Sequence, residues 1–211
     1  MATEDSTEVT ARDPNIEADV RAIVARIVDG VLAGDVPAHT AEGEDGVKRE
    51  SVDDPVSGGT MTVAIGADHG GFAMKERLGF KLKEQGYEVI DCGTDSSASV
   101  DYPDFASAVA RSVASGSADI GIMVDGAGIG SSMVGNKVPG VRAALCYDVS
   151  TARNAREHNH ANMLTLGAAL IGDGLAWQIT QEFLSTSFGP GRHARRVEMI
   201  DALDRPTAGV T

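Results

Sequence analysis

Several short groups of residues in this chain carry the atoms that proton transfer and anion binding require. Asp68-His69 precedes Gly70-Gly71. The carboxylate suits ligand hydroxyls or a helix cap, and an imidazole with an unperturbed pKa of about 6.5 can hold an anion or move a proton. In Asp125-Gly126-Ala127-Gly128-Ile129-Gly130 a carboxylate leads a glycine-rich turn. Such glycines let backbone N–H groups face an oxygen or anion, and they equally serve an ordinary tight turn. His158-Asn159-His160 can present a general acid or base. His-x-His also suits a metal, but no clear third and fourth ligand accompanies it, so no metal is expected. Arg192-His193-Ala194-Arg195-Arg196 is a dense basic patch in an acidic chain. Arg192 and Arg196, four apart, project from one helix face and either grip a phosphate through forked donors or form a solvated surface. Tyr102, in Asp101-Tyr102-Pro103-Asp104, either hydrogen-bonds a ligand or packs. Glycines 126, 128 and 130 run G-x-G-x-G, not the dinucleotide fingerprint G-x-G-x-x-G, so no nicotinamide cofactor is expected.

These groups fall at the ends of alternating elements. Apolar runs predict strands at 62–66, 87–91, 120–124, 140–146 and 162–166, and helical periodicity predicts helices at 72–85, 103–114, 149–158, 174–184 and about 192–203. The alternation predicts an α/β fold: a Rossmann-like, doubly wound, five-stranded parallel sheet in three α/β/α layers. Right-handed crossovers put the strand-end loops on one rim. Asp68-His69, residues 125–130 and the segment near His158 are expected to meet there.

Composition limits the partners. Hydrophobic residues make up 42% and charged residues 23%, both globular values, while aromatics at 4% leave the core to Ile, Val, Leu, Ala and Met. A net charge of -13, from 31 acidic against 18 basic residues, argues against nucleic acid and requires a local basic pocket for any anionic ligand. Cys92 and Cys146 form no CxxC spacing, so a reducing, cytoplasmic setting is expected. No apolar run is long enough to span a bilayer, and the acidic N-terminus lacks the pattern of a signal peptide.

Residues 1–34 read as an N-terminal extension. Asp13-Pro14 starts a helix over about 14–33, whose stripe of Ile16, Val20, Ile23, Ile27 and Val31 is widened by Val24 and Val28 and stopped by Gly34. Residues 35–60 read as a flexible linker, 61–205 as the main domain and 206–211 as a disordered tail. A tethered amphipathic helix docks on its own domain, self-associates or binds a partner. Its mixed-charge polar face argues against a membrane.

From about 61 to 203 the chain resembles the ribose-5-phosphate isomerase B family, which includes the galactose-6-phosphate isomerase subunits. The shared signatures, in order, are G-A-D-H-G-G-F at 66–72, D-C-G-T at 91–94, D-Y-P at 101–103, D-G-A-G-I-G at 125–130, G-N-K-V-P-G-V-R-A at 135–143, R-E-H-N at 156–159 and G-R-H-A-R-R at 191–196. The resemblance implies a homodimer or dimer of dimers, with active sites across the interface and the C-terminal helix used in dimerisation. It implies interconversion of aldose and ketose phosphates without metal or organic cofactor, most directly ribose 5-phosphate to ribulose 5-phosphate. By position it makes Asp68 a ligand for sugar oxygens and His69, Arg192 and Arg196 the phosphate grip. His158 becomes the ring-opening acid or base, Asn159 its substrate-binding neighbour, Tyr102 a pocket residue and Arg142 a further contact. The backbone of Gly126, Ala127, Gly128, Ile129 and Gly130 becomes the nest for the enediolate oxygen.

At the chemical centre the chain departs from that pattern. Many family members carry a cysteine base at the position of Asp125 and a threonine or serine at Ala127; another branch uses a glutamate at the position of Ser131. Asp125 is thus the ionisable candidate in the loop, and the expected base. The change at the C1–C2 end keeps a tetrose or another pentose phosphate open as substrate, and a non-catalytic phosphosugar-binding or assembly protein as an alternative. The extension is similar to peptides that load enzymes into bacterial microcompartments through shell or cargo partners.

Overall fold

In the computed structural model the chain divides into two units, Met1–Glu50 and Ser51–Thr211, and the structure describes residues 60–204, all in the second. The expected helix at 14–33, the linker at 35–60 but for its last residue, and the tail at 206–211 lie outside the described residues.

The elements alternate as β1 (Thr62–Ala67), α1 (Phe72–Glu84), β2 (Glu88–Asp91), α2 (Tyr102–Ala114), β3 (Ile120–Asp125), α3 (Ile129–Gly135), β4 (Ala143–Leu145), α4 (Val149–Asn159), β5 (Met163–Gly167), α5 (Asp173–Ser185) and α6 (Pro190–Asp201). A 3-10 turn, Ala202–Asp204, follows. The sheet is five-stranded and parallel throughout, in the order β2-β1-β3-β5-β4. Because β2 lies on one side of β1 and β3 on the other, the winding reverses between β1 and β3. That crevice, at the carboxyl ends of the strands, is where open α/β sheets take their ligands.

Alternation along buried strands divides the core between the faces of the sheet. Val63, Ile65, Ile122, Val124, Leu164 and Leu166 face Met74, Leu78 and Leu82 of α1, Ala152 and Ala155 of α4, and Ile179 and Phe183 of α5. Ala64, Met123 and Met163 face Ala106, Val109, Ala110 and Val113 of α2, with Val134 of α3 packed against them. The second face is built from small residues, so α2 sits close to the strands: a Cβ on Gly66 would come 2.6 Å from Val109 Cγ2.

A short helix, α3, follows the glycine turn in addition to the five expected helices, and two of the expected elements differ in extent. β4 has three residues, not the seven of 140–146, because the backbone before it bonds to side chains instead of a ladder: the Gly140 amide donates to Asp204 (2.7 Å) and the Arg142 amide to Asn162 (2.7 Å). The last helix starts at Pro190, but Gly191 is non-helical (φ 23°, ψ -125°), so the regular helix carrying the arginines begins after it.

Candidate active site

Asp68 and Asp125 end neighbouring strands at the crevice. Asp68 is buried, and its Oδ1 accepts the amides of Gly70 and Gly71, each at 3.0 Å, turning the chain into α1. Gly71 must be glycine, since a Cβ there would lie 2.2 Å from the Val124 carbonyl. A Cβ on Gly70 would lie 3.7 Å from the Gly126 amide nitrogen, so the loops after β1 and β3 touch. His69 is exposed, and its Nδ1 lies 3.2 Å from both the Val100 carbonyl and the Val100 amide, which fixes the ring against that loop.

Asp125 is 5% exposed and is held by its own loop. Oδ1 accepts the amides of Ala127 (2.8 Å) and Gly128; Oδ2 accepts the Ser131 amide (3.3 Å) and the Ser131 hydroxyl. The sequence assigned the amides of Ala127 and Gly128 to substrate, and in the structure they face this carboxylate. The physical reason is charge: an anionic side chain at the mouth of a turn of N–H groups is its nearest acceptor. The turn needs its glycines. Gly128 takes φ 76°, and a Cβ on Gly130 would strike the Tyr102 ring at 2.5 Å, so Tyr102 packs over the turn as a wall. On the other side the Tyr147 hydroxyl donates to the Ala127 carbonyl at 2.8 Å.

His158 does not join this rim. It lies in the last turn of α4, one residue before Asn159, and the chain enters β5 at Met163. Met163 pairs with Gly121, whereas Asp125 pairs with Gly167. Four residues of strand, about 13 Å, separate the two edges. The expectation that all three polar groups meet on one rim of one chain is therefore overturned. A helix that follows a parallel strand runs back against it, so its C-terminus reaches the opposite edge of the sheet.

The second edge carries its own cluster. The His158 and His193 rings stack at 4.2 Å, 9° from parallel, and the Asn154 amide lies 2.8 Å from His158 Nδ1. Asn159 bonds back to the Asn154 carbonyl at 3.3 Å. Burial holds the His193 imidazole below its usual range, with His158, Arg192 and Arg196 adding positive charge and Glu157 opposing them. Arg192 and Arg196 are exposed. Helix α6 is fixed on α4 by Arg142, which reaches Asp201 (2.7 Å) and the His160 carbonyl (2.9 Å), and by Phe188 stacked on His160 at 4.5 Å. His160 sits in the left-handed region (φ 48°), ending α4. Arg142, expected to contact substrate or a neighbour, makes these ties within its own chain.

The two edges thus divide the chemistry: carboxylates, His69 and Tyr102 on one, an imidazole pair and two guanidinium groups on the other. The family profile Ribose/Galactose Isomerase matches residues 63–200. The chain belongs to this family. It is 43% identical over 143 residues to ribose-5-phosphate isomerase B of Escherichia coli (strain K12), covering 68% of this chain and 96% of that protein. The fold matches ribose-5-phosphate isomerase B of Clostridium thermocellum with a TM-score of 0.67 and 49% identity, over 68% of this chain and 97% of that one. It also matches the Mycoplasma genitalium enzyme solved with bound ribulose-5-phosphate, at TM-score 0.67 and 38% identity, over 70% and 98% of the two chains. The chain is a sugar-phosphate isomerase of the ribose-5-phosphate isomerase B type. Among the described residues no helix is long and apolar enough to cross a membrane.

Sequence reading did not assign Ser131, His193, Tyr147 or Lys75 to the site. Lys75 is 2% exposed and binds Asp91 (2.7 Å), Glu76 (3.0 Å) and the Thr94 carbonyl (3.0 Å). It anchors the start of the loop that ends at Val100, the partner of His69. A lysine inside an amphipathic helix gives no sequence signal of burial; a stack or a buried hydroxyl gives none either.

Proposed function

We propose that this chain interconverts ribose 5-phosphate and ribulose 5-phosphate through a cis-enediol, in a homodimer whose second copy completes each site. The carrying observation is the separation of Asp125 from His158 on opposite sheet edges, with complementary chemistry on each. The choice of pentose rests on the relative solved with ribulose-5-phosphate bound. His69 of one copy and Arg192 and Arg196 of the other hold the phosphate, Asp68 and Asn159 bind sugar oxygens, and Tyr102 walls the pocket. His158 protonates the ring oxygen to open the furanose.

Asp125 then removes the C2 hydrogen as a proton. The C2–H electron pair becomes the C1=C2 bond and the carbonyl pair moves to O1. The O2 proton passes to O1, C2=O forms, and Asp125 returns its proton to C1. The developing oxyanion faces the turn amides other than those of Ala127 and Gly128. Turnover of a panel of tetrose, pentose and hexose phosphates tests this reading, with exchange of the C2 proton into solvent as the direct readout. Ribose 5-phosphate should turn over and exchange, and Asp125→Asn should abolish both; full activity in that variant refutes the base assignment.

The fold elements and signatures support reading residues 61–205 as the isomerase domain, behind a 1–34 extension and a 35–60 linker. The amphipathic pattern at 14–33 supports recruitment of a cytoplasmic enzyme to a microcompartment shell or its cargo. Removal of residues 1–59 should abolish co-sedimentation with shell while isomerase activity persists; unchanged co-sedimentation refutes the tether.

A further inference from the structure

We propose that Asp125 accepts the substrate proton on Oδ2, and that Ser131 is the positioning residue that holds this oxygen until substrate turns its hydroxyl aside. The proposal rests on reading Asp125 as the base. An ionised carboxylate offers about four lone-pair sites. Four donors surround this one: the Ala127 and Gly128 amides on Oδ1, and the Ser131 amide and hydroxyl on Oδ2. A carboxylate with every lone pair engaged takes no proton from carbon, so one donor leaves first.

Three of the four are main-chain groups locked by their surroundings. The Gly128 carbonyl accepts the Thr165 hydroxyl at 2.9 Å, and its Cα is hemmed so closely that a Cβ would lie 2.5 Å from Leu145 Cδ1. The Ala127 carbonyl is tied to Tyr147 at 2.8 Å. The Ser131 amide belongs to α3. The Ser131 hydroxyl alone moves by rotation about one side-chain bond. Its departure vacates a lone pair on Oδ2, not on Oδ1. The substrate C2–H bond then breaks, its electron pair enters C1=C2 and its proton bonds Oδ2; the serine keeps its own proton throughout. Without substrate the same hydroxyl holds the carboxylate plane, so the base is oriented before the sugar arrives.

The test is the pH dependence of kcat/KM for ribose 5-phosphate in full-length Ser131→Ala, Ser131→Cys and Ser131→Thr, beside Asp125→Asn. The titratable and charged groups facing the site, Asp68 and His69 after β1, Tyr102 from α2 and Tyr147 after β4, with His158, His193, Arg192 and Arg196 brought by the second copy, are unchanged in all four. Loss of a charge-assisted donor should raise the acid limb by about one to two pH units in Ser131→Ala, with KM little changed. Ser131→Cys fills the same space with a weak donor and should show the same rise, so it reads the effect if the alanine variant does not fold. Ser131→Thr keeps the hydroxyl and should keep the wild-type limb. An unmoved limb in Ser131→Ala or Ser131→Cys, with Asp125→Asn inactive, overturns the proposal. An active Asp125→Asn instead overturns the base reading beneath it.

Discussion

If each site is built from two chains, two dead variants mixed together should revive. Asp125→Asn removes the base from the β3 edge and leaves His158 intact; His158→Gln does the reverse. The register of β3 on β5 puts the Met163 end of β5, which His158 precedes in the chain, about 13 Å along the strands from the level of Asp125, beyond the reach of a single sugar carbon and its ring oxygen. In a mixed dimer one site carries both substitutions and the other carries neither. Random exchange makes about half the dimers mixed, each with one intact site of two, so activity should return to about a quarter of the wild-type value. The assay is ribulose 5-phosphate formation after co-refolding or co-expression of the two variants, against each alone. Restoration to near a quarter supports sites shared across the interface. No restoration, with mixed dimers verified by differential tags, refutes the argument from the two edges, because each chain would then hold its own complete site.

Two further outcomes follow from the charges. Lys75→Met keeps the buried stem and deletes the ammonium, which should cost about 2 kcal/mol, since Asp91 and Glu76 are half exposed and rehydrate while the Thr94 carbonyl loses its donor. Burial lowers the Lys75 pKa, but its bonds to Asp91 and Glu76 outweigh this and leave it above its ordinary 10.5. The contribution is therefore full below the unfolded value and lost as pH rises through the folded one. Denaturant melts of wild type and variant should differ by a constant amount at neutral pH and converge in strong alkali; a gap that persists there contradicts the ionic origin. At the other edge, His193 is held below its usual range by burial and by His158, Arg192 and Arg196. A bound anion offsets that repulsion, so inorganic phosphate should bind with proton uptake and more tightly near about pH 6 than pH 8. Calorimetry in buffers of different ionisation heat checks this, and a heat independent of buffer rejects it.

Much of the fold was written locally. Alternating apolar strands, the Gly86 stop and the glycine turn after Val124 were enough to predict a five-stranded parallel sheet and to place Asp68 and Asp125 at strand ends. These are short-range signals: propensity, periodicity and backbone freedom act within a few residues. The edge on which His158 falls depends on which way α4 runs, and residue spacing near His158 does not report that direction. The extent of β4 was missed because Asn162 and Asp204, far along the chain, take the amides that a ladder would otherwise use.

What the sequence determined by itself is the set of chemical groups and the elements that carry them: a carboxylate in a glycine turn, an imidazole beside an asparagine, two arginines four apart. The tertiary structure alone decided their relations. It put the groups on opposite edges, stacked His193 on His158 and closed Ser131 and two amides around Asp125. The physical reason is that hydrogen bonds between side chains and loops depend on torsions and packing summed over the whole fold, while residue type and spacing report only on the chain nearby.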